Sequence, residues 1–142
     1  MKVVNLLRNA LISAALVVAV PAVAETAVIV SAGNGNAAID ADTISRIFLG
    51  KTSSFPDGSQ AVPVDQNEGS DVRNDFTDKV LGKSASQLKA YWSRQIFTGK
   101  GTPPKEVGSN AAVKSLIAAN PNMIGYIDSS AVDDTVKVVY SY

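Results

Sequence analysis

Runs and stripes of apolar residues along this chain predict strands and helices in turn. Thr26-Ala27-Val28-Ile29-Val30 is an unbroken, mostly apolar run and reads as a buried strand, closed by the turn-forming Gly33-Asn34-Gly35-Asn36. Ile44, Ile47 and Phe48 fall on one helical stripe. Asp42 stands at its expected cap, and Gly50 at the place where a left-handed residue ends helices. Lys51 to Gln60 is a polar loop containing the turn signature Phe55-Pro56-Asp57-Gly58. Ala61 to Val64 reads as a second strand. Behind it, Val72, Phe76 and Val80 recur at helical spacing with Leu81 beside them, Ser70 is the N-cap, and Gly82 closes the helix.

The remaining pattern continues the alternation. Ser84-Ala85-Ser86-Gln87 is a capping box that opens a helix carrying Leu88, Tyr91, Trp92 and Ile96, all expected in the core. Phe97 to Glu106 contains Gly99, Gly101, Pro103 and Pro104 and reads as a surface loop. Ser109 begins another helix with Ala112, Val113, Leu116 and Ile117 facing inward, stopped by Asn120-Pro121. Met123 to Ile127 and Thr135 to Tyr140 finish the chain as strands. Strands interleaved with helices, without an internal repeat, predict an α/β fold: a mixed sheet flanked by helices.

The first residues carry a different signal. Lys2 and Arg8 form a basic region, Ala10 to Val20 is apolar, and Ala22-Val23-Ala24 is an A-x-A cleavage pattern. Together they predict a cleaved signal peptide over residues 1–24, followed by a single domain over residues 25–142. The apolar run is too short to span a bilayer. Cysteine is absent, so the fold relies on no disulfide and offers no thiol for a lipid. The expectation is an exported, soluble, unlipidated protein of the periplasm.

Composition narrows the chemistry. Without Lys2 and Arg8 the 13 basic residues fall two short of the 13 acidic ones, and no basic patch is interleaved with aromatics. A nucleic-acid partner is not expected. With no histidine and no cysteine, an imidazole base, a thiolate nucleophile and the commonest zinc ligands are all excluded. Asp40, Asp42, Asp75, Asp78, Asp133 and Asp134 lack the spacing of a calcium loop. The G-x-G-x-x-A run after the first strand copies a dinucleotide fingerprint, yet no full mononucleotide-binding half follows, so it reads as a turn. The sequence predicts a protein that is not an enzyme and holds neither metal nor cofactor.

One stretch organises the rest. A strand, a turn ending at Gly69 and a serine-capped helix start leave unpaired N–H donors at the positive end of a helix dipole, which suits an oxyanion. Gly69-Ser70-Asp71-Val72-Arg73-Asn74-Asp75-Phe76 resembles the Gly-Ser-Gly-Thr-Arg-x-x-Phe segment of periplasmic phosphate-binding proteins, the solute receptors of phosphate ABC transporters. Arg46-Ile47-Phe48-Leu49-Gly50-Lys51 resembles their "IFxG" helix end, and Asn122-Met123-Ile124-Gly125-Tyr126-Ile127 their "GxIGY" strand, in the same order.

This resemblance implies one lobe of a type II periplasmic-binding-protein-like fold. In the family the Ser-Gly-Thr triplet gives two hydroxyls and backbone amides to phosphate, and an arginine four residues earlier adds a forked contact. Carried over by position, the candidate ligand residues are Gln66, Ser70, Asp71, Val72 and Arg73. Gln66 stands where the family has its arginine, Asp71 replaces the glycine, and Val72 replaces the threonine hydroxyl with a methyl group. Glu68 and Asp71 add negative charge beside the site.

A lone lobe leaves any anion open to water, so the resemblance implies weak binding of phosphate or another oxyanion. The alternative is a periplasmic interaction or sensor-accessory module that has kept the fold and lost the ligand. The partners implied are a small oxyanion, an ABC transporter permease or a periplasmic sensor protein. A second protein, or a second copy of the chain in a homodimer, would complete the cleft.

Overall fold

The computed structural model describes residues 25–142; the signal peptide expected over residues 1–24 lies outside the described residues. In chain order the elements are β1 (Thr26–Ser31), α1 (Ala41–Phe48), β2 (Val62–Gln66), α2 (Asp71–Lys79) and α3 (Ala85–Phe97). β3 (Lys105–Gly108), α4 (Asn110–Ala119), β4 (Met123–Asp128) and β5 (Val136–Ser141) follow. The strands form one mixed sheet in the order β3-β2-β4-β1-β5. β1 is antiparallel to both β4 and β5, while β2 runs parallel to β4 and β3.

Alternation along β1 divides the core between two faces. Val28 and Val30 pack with Ile44, Phe48, Phe76 and Tyr126 under α1 and α2. Ala27 and Ile29 point the other way, onto Val113 and Ile117 of α4. Both sides of β1 are covered, which is why it lacks polar alternation. Three aromatic rings tie the first face: Phe76 stacks on Tyr126 at 4.0 Å between centroids, and Phe48 meets Phe76 edge-on at 4.7 Å. On the second face Gly125 lets α4 approach closely. A Cβ there would stand 2.9 Å from Val113 and 3.1 Å from Val64.

Several boundaries differ from those the pattern predicts. The α1 cap is Asp40, not Asp42; its carboxylate accepts from the Thr43 amide at 2.8 Å, leaving Asp42 in the first turn, where its charge favours the dipole. β2 runs on to Gln66, because ladder bonds to β3 continue past the last apolar residue. Lys105–Gly108, expected as the end of a loop and the approach to a helix, is the edge strand β3. Its backbone pairing with β2 makes it a strand although its sequence barely alternates.

In α3 Leu88 and Trp92 are buried against Leu49, but Ile96 is 55% exposed and the adjoining Phe97 92% exposed. The helix meets the body only along its first turns, so its apolar stripe continues into solvent. The Gly33–Asn36 turn, by contrast, is as expected, and buried Asn34 holds it through bonds to the Asn36 amide and the Pro121 carbonyl.

Candidate anion site at the start of helix α2

β2 delivers the site. Its last residues, Asp65 and Gln66, are buried, and a turn closed by the Ser70 amide on the Asn67 carbonyl (3.2 Å) leads into α2. Gly69 adopts φ of +84°, a left-handed conformation that glycine takes without strain, and this turns the chain into the helix. Ser70 is the N-cap: its Oγ accepts from the Arg73 amide at 3.2 Å. The amides of Asp71 and Val72 are thereby left without an intrahelical acceptor. The Ser70 hydroxyl proton remains available to donate. Asp71 is exposed, while Ser70, Val72 and Arg73 are half-buried.

Gln66 faces the interior. It is 3% exposed, and its Nε2 donates to Asn110 Oδ1 (2.7 Å) and to the Tyr126 carbonyl (3.0 Å). It therefore bridges β2, β4 and α4, and these bonds would have to break before its amide group met a solute. The Gln66 N–H donates to Tyr126 Oη at 3.3 Å, and that hydroxyl donates in turn to Asp65 Oδ1 at 2.5 Å. Burial pushes the Asp65 carboxyl above the usual carboxylate range, opposed by the Tyr126 hydroxyl bond and by the charge of Arg73. Burial, and then the charge of Asp65, push the Tyr126 hydroxyl far up as well.

Arg73 is the cation of the site, and other groups already hold it. Its Nη1 donates to the Gln66 carbonyl at 3.0 Å and pairs with Glu106 Oε1; its Nη2 lies 3.9 Å from Asp65 Oδ2. The same Glu106 oxygen accepts the Glu68 amide at 3.0 Å. Glu68, Gly69, Arg73 and Glu106 line one side of a cleft of about 410 Å³, faced by Leu88, Trp92 and Ile96 of α3. Ser70, Asp71 and Val72 are not among its lining residues.

Glu106, Asn110 and Tyr126 join this neighbourhood without a signal in the local sequence. Asp65 adjoins Gln66 and was legible as the next residue of the strand. Glu106 arrives from 33 positions beyond Arg73 only because β3 pairs with β2.

No family model and no curated protein matches the chain by sequence. Solved structures do match. A crystal structure from Clostridium perfringens, described as a phosphate ABC transporter substrate-binding protein with bound phosphate, aligns with a TM-score of 0.64 and 26% identity. The match covers 82% of this chain and 45% of that one. An ABC-type phosphate transport receptor from Vibrio cholerae aligns with a TM-score of 0.63 and 20% identity, over 82% of this chain and 46% of the receptor. PstS from Borrelia burgdorferi follows at 0.59 and 14%, over 82% and 47%.

The chain has the fold of one lobe of a phosphate-binding protein. This lobe spans less than half the length of the structures it matches. Those neighbours are substrate-binding proteins. Among the lobe's described residues no helix is long and apolar enough to cross a membrane.

Proposed function

We propose that this protein is an exported domain of the phosphate ABC-transporter substrate-binding type that takes phosphate or a related oxyanion, weakly, at the start of α2. The observation that carries the proposal is the geometry of that helix start. Ser70 caps it with its hydroxyl proton free, the amides of Asp71 and Val72 lack an intrahelical acceptor, and the dipole adds partial positive charge. Arg73, one turn in, is the nearest cation. Gln66 contributes by bracing the strand end beneath the turn. The likeness to a phosphate-bound substrate-binding protein supports the same reading.

Binding is weak because Asp65 and Glu106 already compensate Arg73, the cation of the site. Titration of the protein with phosphate at low salt, followed by calorimetry with sulfate as the control, tests this. Saturable heat that disappears in Ser70→Ala is the expected result. No heat up to roughly millimolar phosphate, the range where an affinity near −4 kcal/mol would register, sinks the proposal.

The comparisons do not favour the second reading, an interaction module without a ligand. The observation that speaks for it is the exposure of Phe97 beside Ile96 at the end of α3, where two large apolar side chains stand in solvent.

A further inference from the structure

We infer that Glu106 is a tethered anion that competes with a bound oxyanion for Arg73, the group it shares with the site at the start of α2, and so sets the affinity and selectivity of that site. This inference rests on the oxyanion reading of the α2 start and names the residue that regulates it. One carboxylate oxygen of Glu106 accepts both from Arg73 Nη1 and from the backbone amide of Glu68, at 3.0 Å, in the turn just ahead of the helix. A guanidinium and a backbone amide converging on one oxyanion oxygen is the arrangement a phosphate or carboxylate ligand would otherwise meet. Here the chain supplies that oxygen itself.

The surroundings allow the occupant to leave. Glu106 lies on the edge strand β3, which among the described residues pairs with β2 alone, and its side chain is 49% exposed. Rotation about its side-chain bonds is enough to withdraw the carboxylate, with no change in the sheet. Glu106 also borders the open cleft that holds Glu68, Gly69 and Arg73, so an incoming anion reaches the same donors from solvent.

Charge then decides what can enter. Arg73 faces Asp65 at 3.9 Å from behind, and that carboxylate stays when Glu106 swings out. The ligand that replaces Glu106 must therefore offer at least two acceptor oxygens and carry little excess negative charge, because Asp65 already compensates the cation. A phosphate monoanion or a phosphate monoester monoanion fits this description better than a sulfate dianion.

If Glu106 holds the donors about nine-tenths of the time, the apparent affinity is reduced about tenfold, and removing its charge restores it. The experiment compares phosphate titrations of the wild-type protein and Glu106→Gln, followed by calorimetry and by the backbone amide resonances of Glu68 and Arg73. Sulfate is the second ligand, and thermal melting of each variant serves as the folding control. Tighter phosphate binding in Glu106→Gln, by about tenfold, is expected, with both amide resonances shifting on saturation. Binding by Glu106→Gln where wild type shows none upholds the role of Glu106 and overturns only the weak binding proposed for the wild-type protein. Equal or weaker affinity in Glu106→Gln, while wild type binds and loses binding in Ser70→Ala, overturns the role of Glu106 and leaves the oxyanion reading standing. Silence from both proteins overturns both.

Discussion

Asp65 shows how one buried side chain can oppose the fold that contains it. Its carboxyl is raised because burial penalises the ionised form more than the Tyr126 hydroxyl and Arg73 favour it. The folded chain therefore binds an extra proton between the unfolded value, near 3.8, and the raised folded one. Stability must fall as pH rises through that window. Urea unfolding between about pH 4 and pH 7 should show this fall in wild type and its absence in Asp65→Asn. Parallel curves for the two proteins would remove Asp65 from the pH dependence. Asp40, Asp57, Asp128 and Asp133 act in the opposite sense. Hydrogen bonds in their own turns lower them, Asp133 to about 2, so what they contribute is lost only as pH falls below the window used for Asp65.

The same residue-level view explains what was legible at the candidate site. Ser70 was readable as a cap because capping is local: its hydroxyl needs only the amide three residues on. The partners of Arg73 were not readable. Its bonds go to Gln66, Asp65 and Glu106, and the last of these is set by a strand pairing the sequence does not announce.

At the scale of elements, α3 is the informative case. Its capping box, its length and its stripe of large side chains are all plain in the sequence, and the helix forms where expected. How far the stripe is buried depends on the body beneath it. Leu88 and Trp92 reach Leu49, and Tyr91 donates its hydroxyl to the Leu49 carbonyl at 2.6 Å; Ile96 lies beyond that contact. Trp92→Ala should therefore cost about 3 kcal/mol in chemical denaturation, since a buried indole is removed from a contact that anchors the helix. Ile96→Ala should cost less than about 0.5 kcal/mol. A large loss from Ile96→Ala would mean that the end of α3 is covered in solution.

At the scale of the whole molecule, the sheet is unequal across its width. β1 is an interior strand, buried along its whole length and paired on both sides, whereas β3 is a four-residue edge whose Lys105 and Glu106 are exposed. Amide hydrogen exchange should follow that order, with β3 exchanging first and β1 and β4 last, near the limit set by global unfolding. β3 amides protected as strongly as those of β1 would show that something covers the edge. That edge carries Glu106, so the least protected strand also bears the residue proposed to compete with the ligand.

The sequence by itself determined the local and periodic features of this protein. These are the apolar strand runs, the helical stripes, the serine caps at Ser70, Ser84 and Ser109, and the glycine that ends α1. Each follows from interactions between residues a few positions apart, so each is written in a short stretch of chain. Only the tertiary structure decided that residues 105–108 form a strand, that Gln66 turns inward, that Ile96 stands in solvent, and that Arg73 is claimed by two carboxylates. Those outcomes depend on which distant segments meet, through strand pairing and burial against remote side chains, and no local pattern encodes that.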